Sequence, residues 1–289
     1  MVIELWLVYA IGAAVFAALT TILAKIGIKD VDSHLATAIR TMVVLVFAWI
    51  MVFVVGTQYG IVDIGVRTWV LIVLSGLATG GSWLCFFKAL KLGNVNKVVP
   101  IDKSSTILTM VLAFIILNEP AGPITIVGMV ILGVGTWLML DIKKNDEETK
   151  GYGWLFFAVM AAILASLTAI IGRVGVVDID ANLWTAIRTI VVVIFSWLMV
   201  FIVGSQKEIK KVSIKSWVFL VFSGCATGAS WLFFYHALQV GNASHVVPID
   251  KLSIVLTMAF ARIFLGERFS YKSLGGLFLV VVGTLTAVL

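Results

Sequence analysis

Six ionisable side chains, Arg40, Asp102, Lys103, Arg188, Asp250 and Lys251, stand in stretches that otherwise suit lipid. Four of them come from the hexapeptide VVPIDK, present at 98–103 and again at 246–251. A charge within a bilayer is costly, so such groups face a bundle interior or a cavity and are candidates for function. Basic side chains there can hold an anionic group, and an acid–base pair can lock a gate that opens when its partners part. Sequence neighbours on a helix point about 100° apart, so neither Asp102 with Lys103 nor Asp250 with Lys251 is expected to form a facing pair.

Asp102 shares its helix face with Ser105 and Thr109, and Asp250 shares its face with Ser253 and Thr257. These are the spacings of a polar stripe turned toward a cavity. Arg40, in LATAIRT near the start of its own segment, is the expected partner of Asp102, and Arg188 that of Asp250. Each cluster then keeps one spare positive charge, which suits an anionic group such as a carboxylate. The alternative is a buried bridge that only holds the protein together while the lysine snorkels, and the sequence leaves both open.

The elements that must position these residues follow from composition. With 61% hydrophobic residues, 12% charged residues and a mean hydropathy of +1.12, the chain lies outside the usage of soluble domains. Apolar runs fall at 6–28, 35–56, 69–90, 98–117 and 125–140, then at 153–172, 183–204, 217–238, 246–265 and 274–289. Most approach the ~20 residues that a helix needs to cross a hydrocarbon core. They are continuous rather than alternating, which excludes barrel strands. The expected class is an all-α integral membrane protein with ten transmembrane helices. The first run lacks a basic leader and a cleavage site, so it is read as helix one rather than a signal peptide, and the last helix is expected to start near Tyr271.

Pro100 placed over Pro248 fixes an offset of 148 residues, and 21 of the 33 positions from 78 to 110 then match their counterparts. The chain is one five-helix unit used twice, over 1–145 and 150–289. Five is odd, so the second copy enters the membrane inverted. Lysine and arginine collect on one side of the resulting topology, leaving only Arg67 and Arg173 on the other. By the positive-inside rule this places both termini outside. It also accounts for the net charge of +6 without nucleic acid.

The repeat length, the match of GLATGGSWLCFFKALKLGN to GCATGASWLFFYHALQVGN, and the endings ILNEP and FLGER resemble the drug/metabolite transporter superfamily, specifically its EamA-like family of ten helices in two repeats. The resemblance spans nearly the whole chain. It departs at Asn118, where the family signature has the glycine kept as Gly266, and in the termini, which family precedent puts in the cytoplasm. It implies export of amino acids or related metabolites across the cell (cytoplasmic) membrane, and substrate contacts on the third and eighth helices at Trp83 and Trp231, for which ordinary bundle packing is the alternative; Tyr235 is a further cavity-lining candidate.

The Gly76–Gly80 and Gly224–Gly228 pairs have a spacing that lets helices approach closely, read as packing rather than dimerisation. Pro100 and Pro248 are placed in first helical turns, where proline costs little. Trp6, Trp69, Trp154 and Trp217 read as interfacial anchors. Cys85 and Cys225 occupy non-equivalent positions, and the three histidines have no metal spacing. No cofactor is expected, and no nucleophile with a base at recognisable spacing marks an enzyme. The expected function is secondary transport of a small metabolite by alternating access. A lipid or lipid-linked-sugar flippase and a cationic drug exporter are the alternatives, and a non-transporting scaffold ranks last. The expected partners are membrane lipid and a small-molecule substrate, in a monomer or homodimer.

Overall fold

The computed structural model describes residues 4–27, 31–92, 98, 101–102, 104–139, 153–265 and 270–288. In chain order its α-helices are α1 (Leu5–Gly27), α2 (Ser33–Val55), α3 (Val66–Leu92), α4 (Ser105–Ile116), α5 (Pro123–Leu138), α6 (Gly153–Gly175), α7 (Ala181–Val203), α8 (Ile214–Val240), α9 (Ala243–Lys251), α10 (Ser253–Leu265) and α11 (Tyr271–Val288). Among the described residues, seven of these are long and apolar enough to cross a membrane: α1, α2, α3, α6, α7, α8 and α11. The expected fourth and fifth spans contain the shorter apolar helices α4 and α5, and the ninth is divided into α9 and α10.

Counterpart helices start and stop by the same local chemistry. Asp32 accepts hydrogen bonds from the His34 and Leu35 amides at 3.0 and 3.2 Å, and Asp180 accepts from Asn182 and Leu183 at 2.9 and 3.2 Å. Each carboxylate thus satisfies amides that the first turn leaves unpaired. Gly56 and Gly204 end α2 and α7 at φ 82° and 83°, a left-handed conformation that glycine adopts without a Cβ penalty.

The ninth span corrects one expectation. Pro248 lies inside α9, which begins at Ala243 rather than near Val246. Proline supplies no N–H and crowds the preceding turn. The helix stops at Lys251, and the Leu252 amide turns back to the Ile249 carbonyl at 2.9 Å. A matching turn occurs at Ser104, whose amide bonds to Ile101 O at 3.2 Å. Pro100 and Lys103 lie outside the described residues.

The two repeats interlock rather than sit side by side. Helix α1 packs on α8 and its counterpart α6 packs on α3, while α2 meets α7 and α5 meets α11. Across the last pair, a Cβ on Gly128 would lie 2.2 Å from Ala287 N and one on Gly135 would lie 2.6 Å from Val280 N. Rising numbers on one helix face falling numbers on the other, so these counterpart helices are antiparallel. The axis relating the repeats is therefore perpendicular to the helices, as an inverted repeat requires.

Backbone contacts this close leave no room for a side chain. Gly128→Ala is expected to cost about 1–3 kcal/mol through overpacking, read as a lower melting temperature in detergent by tryptophan fluorescence. Gly275→Ala, on the open side of α11 with nothing within 4 Å of a Cβ, should leave stability unchanged or raise it by about 0.5–1 kcal/mol. The Asp32 cap should respond to acid. Burial pushes its carboxyl up, but the Ser205 hydroxyl, the Leu35 and His34 amides and the charge of His34 outweigh that and hold it below its ordinary value. The cap therefore stabilises fully above its unfolded value of about 3.9, and its contribution fades as pH falls through the lower folded value. Asp32→Asn should flatten that part of the melting-temperature profile below about pH 4 and leave neutral pH little changed.

Candidate functional site

The arginines that the sequence singles out are held by the opposite repeat. Arg188 on α7 donates from Nε to Ser75 Oγ at 2.9 Å and from Nη2 to Thr79 Oγ1, both on α3. Arg40 on α2 donates from Nη2 to Thr227 Oγ1 on α8 at 2.9 Å. The helices approach closely because glycine faces them. A Cβ on Gly76 or Gly80 would lie 2.6 Å from Val191 or 2.3 Å from Phe195, and one on Gly224 or Gly228 would lie 2.6 Å from Val43 or 2.6 Å from Phe47. The two glycine pairs are thus occupied by packing within the chain.

This arrangement overturns two expected pairings. Neither guanidinium has a carboxylate within salt-bridge distance among the described residues. Asp250 instead pairs with its neighbour Lys251, at 3.7 Å. The expectation against such a pair assumed a continuing helix, whereas α9 ends at Lys251 and the long lysine stem folds back over the terminal turn.

The Arg188 guanidinium also lies 5.2 Å from the ring centres of Trp231 and Tyr235, close enough for cation–π attraction. Arg188 is 2% exposed, yet its Nη1 has no hydrogen-bond partner. A buried donor without a partner is costly, and this one lines a cavity of about 340 Å³ bounded by Thr79, Ser82, Trp83, Trp231, Tyr235 and Lys251, among others. A second lobe of about 450 Å³ is lined by Thr37, Arg40, Ser82, Trp83, Phe86, Asp102, Ser105, Ala165 and Lys251. The lobes share Ser82, Trp83, Ala165 and Lys251, so Arg40 and Arg188 flank one internal space.

Of the residues named from sequence, Trp83, Ser105, Trp231 and Tyr235 thus line this space together with Arg40, Asp102, Arg188 and Lys251. Thr109 is buried and donates to Ser105 O at 2.8 Å. Ser253 and Thr257 are half-buried on α10 and line neither lobe, whereas Ser105, which follows the matching turn at Ser104, lines the second. Sequence reasoning missed Ser75, Thr79 and Thr227, although Ser75, Thr79 and Ser82 recur as Ser223, Thr227 and Ser230, a duplicated hydroxyl stripe.

The two ends of the space differ. Every residue from Ala181 to Thr189 at the start of α7 is buried, whereas Thr37 and Arg40 in the counterpart stretch of α2 are only half-buried. Glu119, from the other repeat, helps close the first end. Its carboxylate oxygens accept the Ala243 and Ser244 amides at 2.8 Å each, supplying the cap that Asn242 does not. Asn118 before it takes φ 51°, a region that asparagine tolerates better than most non-glycine residues. This explains how Asn118 can stand where the other copy has Gly266. Trp184, fully buried, packs near Tyr235 with ring centres 6.0 Å apart. Gln239 adds hydrogen bonds to the Val176 and Ile179 carbonyls at 3.0 and 2.9 Å.

Comparison with known proteins agrees with this duplicated architecture. The sequence matches the EamA-like transporter family twice, over 4–141 and 152–289. An uncharacterized transporter from Archaeoglobus fulgidus is 23% identical over 285 residues, 97% of this chain and 96% of the relative. Another uncharacterized transporter, in the cobO 3' region of a Sinorhizobium species, is 39% identical over 132 residues, 46% of this chain and 94% of the relative. A solved structure described as the crystal structure of a protein superposes with a TM-score of 0.82 at 16% identity, covering 98% of this chain and 96% of the other. At that identity it speaks to the fold alone. Two family matches on an all-helical bundle with counterpart sites in each half leave one assignment: the chain is a multi-pass membrane protein of the EamA-like transporter family, within the drug/metabolite transporter superfamily.

Proposed function

We propose that the protein is a secondary transporter rather than an enzyme, and that it exports a small, carboxylate-bearing metabolite, an amino acid or a related compound, by alternating access. The observation that carries this reading is the internal space between Arg40 and Arg188, with the α7 stretch that carries Arg188 fully buried and the α2 stretch that carries Arg40 only partly so. Its described lining has three cationic side chains, Arg40, Arg188 and Lys251, against Asp102. Asp250 balances Lys251, and among the described residues the guanidinium groups meet hydroxyls and aromatic faces. Such a space favours an anionic ligand and disfavours a cationic drug. Trp83 and Trp231 supply flat walls for the apolar part of the same molecule.

A described charge bias supports the orientation. Lys25, Lys207, Lys210, Lys211 and Lys215 lie toward the end that holds Arg40, and Arg67 and Arg173 lie toward the other. By the positive-inside rule the end that holds Arg40 faces the cytoplasm of a cell (inner) membrane and the termini lie outside, opposite to family precedent. The partners in this reading are lipid and a small molecule, with no nucleic acid, in a monomer or homodimer.

The flippase reading has one observation in its favour, a groove of about 550 Å³ between α10 and α11 lined by Val255, Met258, Ala259, Arg262, Tyr271, Leu274 and Leu277. None of these residues lines the central space, so a lipid in the groove would not reach the paired arginines.

Purified protein should be stabilised by carboxylate metabolites in a thermal-shift screen, and reconstituted protein should release the active compound from loaded vesicles. Arg40→Gln is expected to weaken apparent affinity by about ten- to a hundredfold, the loss of one charge-assisted contact, with little change in the unliganded melting temperature. Stabilisation by cations or lipid alone, indifferent to Arg40→Gln, would reject the carboxylate substrate. For the acids, Asp102→Asn and Asp250→Asn should bias the protein toward opposite open ends, measured by accessibility of thiols introduced at each end. Equal loss of folded protein in both would mark them as structural bridges.

A further inference from the structure

Each residue has a counterpart 148 positions away, so a contact present in one copy and absent from the other belongs to the conformation rather than to the design of the repeat. Most contacts around the arginines are duplicated. Thr79 and Thr227 both accept from an arginine Nη2, and both approach a threonine of the neighbouring helix, Thr168 at 3.2 Å and Thr20 at 3.3 Å. One pair of counterparts behaves differently. Ser75 Oγ accepts from Arg188 Nε at 2.9 Å while donating to the Thr168 carbonyl at 3.5 Å. Ser223 Oγ makes the counterpart bond to the Thr20 carbonyl, donating at 2.9 Å, but Arg40 Nε is buried without a partner.

We propose that Ser75 and Ser223 are positioning residues of the transport cycle. The serine that accepts from its arginine Nε as well as donating to its threonine carbonyl holds that arginine in the more buried end, while the serine bonded to its carbonyl alone leaves the other arginine to the cavity, and the two exchange roles as the ends alternate. The proposal rests on the alternating-access reading above and adds the element that holds each state.

Three physical points support it. A serine hydroxyl accepts from an N–H while donating to a carbonyl, so each serine can gain or lose its arginine without giving up its threonine carbonyl. The locked arginine is the one stacked on Trp231 and Tyr235 and 2% exposed. Arg40 is half-buried and has no ring contact of this kind among the described residues. Finally, an unsatisfied buried Nε is a cost that the present state bears and the alternate state removes. Two packings each carrying one such penalty stay close in free energy, as a carrier that must visit both requires.

The test uses the full chain with both native cysteines replaced, Cys85→Ser and Cys225→Ser, and reads the rate of maleimide labelling in nanodiscs. Thr37→Cys reports on the end that holds Arg40 and its counterpart Thr185→Cys on the end that holds Arg188, where Thr185 is fully buried. Ser75→Ala should raise the ratio of labelling at 185 to labelling at 37 by roughly tenfold, the worth of one charge-assisted hydrogen bond. Ser223→Ala should lower the same ratio. Ser75→Thr, which keeps a hydroxyl, should restore it to within about twofold of the parent. Shifts of the same sign in both alanine variants, or no shift in either, overturn the proposal. If Ser75→Ala does not fold, Ser223→Ala against Ser223→Thr decides alone, because only a lower ratio in the alanine variant supports the switch. Labelling needs no substrate. Opposite biases in a protein that releases no metabolite would therefore defeat the transport reading, and active efflux with unbiased labelling would defeat only the serine switch.

Discussion

Two guanidinium groups inside a lipid-soluble bundle set the conditions that the rest of the structure meets. Among the described residues neither arginine finds a carboxylate. Each is held by hydroxyls on a helix of the other repeat, so neither copy can satisfy its own charge. That requirement explains the interlocked packing and the glycines facing Val43, Phe47, Val191 and Phe195. A methyl group at Gly80 would push α3 away from α7 and take the hydroxyls out of reach of Arg188. Hydroxyls serve here better than carboxylates would. They hold the guanidinium in place without cancelling its charge, which remains available to a ligand.

The pseudo-two-fold relation makes the departures from symmetry informative. The caps at Asp32 and Asp180 and the left-handed turns at Gly56 and Gly204 are the same in both halves, because each depends only on residues close in sequence. Burial at the start of α2 and of α7 is not the same. Glu119 ties the loop after α4 to the first turn of α9, and Trp184 fills the space beside Tyr235, so the end that holds Arg188 is the more deeply buried of the two.

The divided ninth span carries chemistry that an unbroken helix would not. Pro248 weakens the turn before Lys251, and the chain resumes as α10 only after Leu252. This ending lets Lys251 fold back on Asp250 and still border both lobes of the cavity. Ser253 and Thr257, beyond the break, line neither lobe. The polar face read along a continuous helix was therefore correct as periodicity and incomplete as geometry.

The sequence by itself determined that this chain belongs in lipid, that it is helical, and that one unit is used twice in opposite senses. Apolar run length, the 148-residue offset and the sidedness of lysine and arginine are local or additive properties, and they need no knowledge of contacts. It also picked out Arg40, Arg188, Asp102 and Lys251, because a charge in an apolar run stands out wherever it folds. Only the tertiary structure decided which groups meet. Arg40 and Thr227 are 187 residues apart, Arg188 and Ser75 113 apart, and their bonds depend on how closely glycine lets two helices approach. Which end is the more deeply buried, and which serine holds its arginine, was likewise beyond reach of the sequence. Both copies encode the same hydroxyls and the same arginines, and only the packing distinguishes them.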